Sequence, residues 1–172
     1  MNAQKIIAIA TGYIGILEKP GNTGFYNAPF EVKMRKVGFY TGAPWCAFFT
    51  KLVLVESYMS DTAYAAVLNS TLTGGAVDSF NKCKRNGIPT GTVPRPGAIV
   101  VWKNGNGPAG HIGVVVSVDG NTMTTIEGNT NASGSREGDR VAKKLRTVNR
   151  DFQKSGLNIV GYIYPKGGLN EN

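Results

Sequence analysis

Residues 110–129 read GHIGVVVSVDGNTMTTIEGN: two alternating runs joined by Asp119-Gly120-Asn121. Alternation at period two around an Asp-Gly-Asn signal predicts a β-hairpin. A three-residue turn sets Val118 opposite Thr122, Gly113 opposite Glu127 and His111 opposite Asn129. Residues two apart share a strand face. His111, Glu127 and Asn129 then project from one side, and Ile112, Val114, Val116 and Val118 pack on the other. A slip of one residue would turn His111 to the opposite face.

The same texture continues around the hairpin. PRPGAIVVW (94–102) is turn chemistry feeding a buried strand, and RVAKKLRTV (140–148) and NIVGYIYP (158–165) supply two more. NTNASGSREGD (129–139) reads as a long polar loop beside the hairpin's end. Upstream the period is helical. Ile6, Ala10, Tyr13 and Leu17 mark a helix over 3–17, a structural helix rather than a signal segment, because Thr11, Gly12 and Tyr13 interrupt the apolar run. A second helix starts near Pro44 or Trp45 and runs to about Tyr58. Shorter ones fit 61–69 and 74–86, the last stopped by Gly87. Residues 18–44 read as irregular. Helices first and an antiparallel sheet second predict an α+β fold in one domain over 1–165, with a frayed tail at 166–172.

Composition bounds the rest. The 172 residues are 41% hydrophobic and 17% charged, as a globular domain requires. The formal charge of +8 suits polyanionic surroundings, or solubility alone. No zinc-finger spacing or aromatic-rich basic motif points to nucleic acid, and no apolar stretch is long enough to span a membrane. The basic run Lys143-Lys144-Leu145-Arg146 reads as a solvated strand face. Two cysteines, Cys46 and Cys83, are too few for a secreted disulfide framework and predict free thiols, with Cys83 in helix packing.

Cys46 stands in GAPWCAFF (42–49), at the start of the second helix. Pro44 suits the first helical position, which puts the thiol in the first turn. There, unpaired N–H groups and the helix dipole favour a thiolate. A buried small hydrophobe fits the motif as well. His111 is the lone histidine, structural or the general base that a cysteine nucleophile needs. Glu127 fits either an exposed strand carboxylate or the acceptor that fixes the imidazole tautomer, and Asn129 either a turn residue or part of the same set. Trp45 is assigned to the substrate groove beside the nucleophile, with core packing as the alternative. Trp102 fits a rim or a core position.

PWCAFF, PRPGAIVVW, GHIGVVVSV, IEGNTN, GSREGD and GYIYP, in this order, resemble the CHAP domains, cysteine- and histidine-dependent amidohydrolases and peptidases of papain-like fold. The resemblance runs from about Leu17 to Pro165. It implies a peptidoglycan hydrolase, amidase or endopeptidase, of the kind found in phage lysins. Cys46 takes the nucleophile position, His111 the base, Glu127 the orienting carboxylate, and Asn129 a position that supports the imidazole or polarises the substrate. Some members bind calcium through acidic residues before the nucleophile. GFYTGAPW (38–45) has none, so no metal and no cofactor is expected. The implied protein is a monomer whose partner is bacterial peptidoglycan, made without a signal peptide and delivered to the wall by lysis, export or a phage particle. The alternatives are a non-catalytic wall-binding or virion domain, and a papain-like protease acting on proteins.

Overall fold

The computed structural model describes residues 2–131 and 138–166. In chain order the elements are α1 (Asn2–Gly12), β1 (Glu18–Lys19), β2 (Gly24–Phe25), α2 (Ala28–Lys36), α3 (Cys46–Ser57), α4 (Thr62–Thr71), α5 (Ala76–Arg85), β3 (Thr90–Gly91), β4 (Ile99–Asn104), β5 (Gly110–Asp119), β6 (Thr122–Thr130), β7 (Arg140–Thr147) and β8 (Leu157–Ile163). The long strands form one antiparallel sheet in the order β3-β8-β4-β5-β6-β7. Helices α1, α3 and α5 pack on it, with α3 against β5 and β6. This is an α+β fold, as the order of helical and strand periods predicts, of the papain-like type that the resemblance implies.

Burial explains the placement. Helix α3 carries nine buried residues, from Cys46 to Ser57, and so occupies the centre. On β4, Ile99 and Val101 join the core under the helices, while Val100 and Trp102 join a smaller cluster on the other sheet face with Val115, Met123 and Tyr162. Both faces are covered, so AIVVW is apolar throughout. Each fully buried large side chain contributes about 1.5–3 kcal/mol.

Four expectations need correction. Helix α1 ends at Gly12 rather than residue 17, and the chain turns at Gly15, which has φ +90°. Residues 18–44 are not all irregular, since α2 lies within them. The Asn27 side chain accepts from Phe30 N at 2.9 Å to cap it, Pro29 sits in its first turn, and Lys33, Arg35 and Lys36 close its last. Pro44 is not helical: Trp45 is the N-cap and Cys46 the first residue of α3.

The fourth concerns the hairpin. Its turn is two residues long, with Asp119 opposite Thr122 and Val118 opposite Met123. A bulge between Val115 and Ser117 then shifts the register, and Val115 pairs with Thr125 and Val114 with Ile126. The two departures cancel at the His111 end, where a Cβ on Gly113 would meet Glu127 Cγ at 2.7 Å. Beyond the bulge, Val118 packs with the Val115 cluster rather than with Ile112 and Val114.

At the end of the described chain, the Lys166 N–H donates to Tyr64 Oη at 3.0 Å and its carbonyl accepts from Asn2 Nδ2 at 2.9 Å. The rest of the expected tail, and residues 132–137 of the expected polar loop, lie outside the described residues.

Candidate active site

Three elements meet at one end of the sheet. Helix α3 brings Cys46, β5 brings His111 and β6 brings Glu127. The approach of α3 to β6 depends on Gly128, where an added Cβ would meet Phe49 Cβ and Trp45 Cζ3 at 2.7 Å each. No larger residue lets the first turn of α3 lie so close.

Cys46 begins α3, where the first N–H bonded within the helix belongs to Phe49, donating to Trp45 O at 2.9 Å. No side chain caps this end and no acidic residue stands in its first turn. Leaving a helix uncapped costs about 1 kcal/mol. In exchange, the orphan donors and the positive end of the dipole stay available to a negative sulfur or oxyanion. Cys46 is 6% exposed. Cys83 is buried too, also as a free thiol, and burial pushes it up to about 11, which suits inert packing in α5.

The imidazole of His111 is held from several sides. Its Nε2 lies 2.8 Å from Glu127 Oε2, and the Cys46 side chain is close enough to act on the ring. With Nε2 taken by the carboxylate, Nδ1 is the nitrogen left for sulfur. Burial alone pushes an imidazole down, but the Cys46 and Glu127 partners outweigh it and raise His111 to about 9. The ring stacks on Trp102, its cross-strand partner, with centroids 5.7 Å apart and planes 25° apart. Trp102 is thus a buried residue of the site.

Glu127 is fully buried, and donors saturate both its oxygens. Oε1 accepts from Arg146 Nε at 2.8 Å and from Thr125 Oγ1 at 2.5 Å. Oε2 accepts from His111 Nε2 and from Arg146 Nη2. Burial pushes this carboxyl up, but Arg146 and His111 outweigh it and hold it down at about 2. The expected solvated face of β7 therefore holds only in part. Lys143 and Leu145 are exposed, whereas Arg146 folds inward, with its guanidinium carbon 5.4 Å from the centre of the Trp102 ring. The inward face of β7 follows from its register, Met123 opposite Arg146 and Glu127 opposite Ala142, which periodicity in β7 alone does not reveal.

Asn129, next to last in β6, lies in the left-handed region, at φ 51°, and is half-buried. It lines a cleft of about 670 Å³ that opens beside His111 and is also walled by Asn131, Lys144, Arg146 and Lys154. Trp45 corrects the groove assignment. It is 0% exposed, makes edge contacts with Phe25, Phe30 and Phe49, and donates Nε1 to Glu18. It is a core residue and offers substrate no surface. Among the described residues, no group of three His, Cys, Asp or Glu side chains is placed to hold a metal ion, and no helix is long and apolar enough to cross a membrane.

No curated protein sequence matches the chain significantly. The family model of the CHAP domain matches residues 38–129, just over half of the chain. The match contains Cys46, His111, Glu127 and Asn129, and stops before Arg146. The chain belongs to the CHAP domain family, cysteine- and histidine-dependent amidohydrolases and peptidases generally associated with peptidoglycan.

Proposed function

We propose that the protein hydrolyses an amide bond of bacterial peptidoglycan through Cys46, His111 and Glu127. The observation that carries this reading is the single cluster they form: a thiol at an uncapped helix start, against an imidazole that a buried carboxylate holds from its far side.

At neutral pH, His111 held at about 9 is an imidazolium, and its charge and the α3 N-terminus both stabilise a thiolate. The sulfur attacks the substrate carbonyl carbon, and the carbonyl π-electrons move to oxygen. The Cys46 N–H, unpaired within α3, donates to that oxyanion. As the tetrahedral adduct collapses, His111 Nδ1 gives its proton to the departing amine, leaving a thioester. Neutral His111 then takes a proton from water as it attacks the thioester carbon. Collapse releases the acid and the thiolate, and the ion pair returns. Glu127 stays ionised throughout and fixes the ring through Nε2–H. Asn129, in the wall of the cleft, polarises or positions the substrate.

The excess of basic charge, formally +8, supports a substrate surrounded by anionic wall polymer. Delivery by lysis, by export or in a phage particle, as for endolysins, suits this activity. The test is clearing of purified cell walls by the wild type and by Cys46→Ala. We expect clearing by the wild type alone. Equal clearing by both, or by neither, contradicts the reading. Mass spectrometry of the released fragments distinguishes a muramoyl–alanine amidase from an endopeptidase.

A further inference from the structure

We infer that Arg146 is a positioning residue of the active site, which acts on His111 through Glu127. The inference rests on the hydrolase reading for its kinetic consequences, though not for its structural test.

Four side chains form a closed clamp. Glu127 bridges the imidazole and the guanidinium, using Oε2 for His111 and both oxygens for Arg146. The Trp102 indole contacts both of the same two groups, stacked with the imidazole and under the guanidinium. The bidentate arrangement fixes the carboxylate plane, and with it the direction of the bond to Nε2. The indole braces both groups. The imidazole keeps one rotamer, with Nδ1 toward Cys46.

The chemistry explains the need for a second cation. An unpaired buried carboxylate favours its neutral form. While His111 is protonated, the imidazolium supports Glu127. Once His111 has given its proton to the leaving amine, that support is gone, and a fully buried Glu127 would tend to take up a proton itself. Arg146 remains charged through this step. It keeps Glu127 an acceptor, so the neutral ring holds its proton on Nε2 and presents a bare Nδ1 to the incoming water. Thr125 Oγ1 donates to the same carboxylate but brings no charge.

The lone histidine gives a clean readout, since every imidazole ¹⁵N signal of the chain belongs to His111. The experiment follows these signals against pH in the full chain, as wild type, Arg146→Met and Arg146→Lys, alongside kcat and KM on cell walls. In the wild type, no step is expected in the ordinary carboxylate range, because Glu127 is held at about 2. Arg146→Met is expected to introduce one, as Glu127 loses a cation and protonates at higher pH. Arg146→Lys keeps the charge and so keeps the range free of a step. It loses the fork and the planar stacking, so kcat falls about 10- to 100-fold with KM unchanged. An Arg146→Met spectrum identical to wild type overturns the inference, as does an Arg146→Lys enzyme with wild-type kcat. If Arg146→Met does not fold, the Arg146→Lys kinetics decide. The spectral result stands whether or not walls are cut, so its failure is distinct from failure of the hydrolase reading.

Discussion

Glu127 stabilises the protonated imidazole on one side and is itself held ionised by Arg146 on the other. Glu127→Gln removes the negative charge, so His111 loses its proton at lower pH. In the proposed cycle the imidazolium is the active form, so activity declines on the alkaline side as the ring deprotonates, near pH 9 in the wild type. We predict that Glu127→Gln moves this alkaline limb of kcat/KM downward and reduces kcat about 10- to 100-fold. An unmoved limb would show that Glu127 does not act on the ring. Trp45 supplies the contrasting case. It is fully buried, so Trp45→Phe should lower Tm and leave KM within about twofold, measured by calorimetry and wall-clearing kinetics. A large rise in KM with unchanged Tm would return Trp45 to the groove.

At the scale of elements, the site depends on how closely α3 lies against β6 and how β5 is registered on it. Gly128→Ala puts a methyl group 2.7 Å from Phe49 Cβ, so α3 must shift. We expect a loss of about 1–3 kcal/mol by denaturant titration, with a larger loss of activity than stability alone explains. Gly113→Ala instead confronts the Glu127 side chain, at 2.7 Å from Cγ. It should disturb the His111 contact while the fold survives, and a fully active Gly113→Ala enzyme would contradict this close packing of β5 on Glu127. The two-residue period places Glu127 and Asn129 on one face, but His111 joins them as read only because the misjudged turn length and the bulge cancel. The turn length is not readable, and the bulge near Val116 that offsets it leaves no mark in a run of valines. Helix α2 did leave signals: the Asn27 cap, Glu31 in the first turn and cations in the last. Its short length and Pro29 conceal them within a loop-like stretch. The roles of Arg146 and Trp45 depend on partners far away in the chain, Glu127 and Trp102 for one and Phe25, Phe30 and Glu18 for the other, and no local pattern encodes such encounters.

For the whole molecule, the buried pair links stability to pH. Glu127 is lowered from 4.5 to about 2 on folding, so its contribution is fully present above 4.5 and is lost as pH falls through 2. His111 is raised from 6.5 to about 9, so its contribution is complete below 6.5 and is lost as pH rises through 9. Both act together between about pH 4.5 and 6.5, and this pair favours maximal Tm in that window. Scanning calorimetry across pH on the wild type and Glu127→Gln should show the dependence weakened in the variant. The proposed chemistry turns on the encounter of sulfur and imidazole. Titration of the single histidine by ¹⁵N NMR, in the wild type and in Cys46→Ala, tests that encounter most directly. A wild-type midpoint near 9 that falls when the sulfur is removed is the expected result. An ordinary midpoint near 6.5 in both proteins would contradict it.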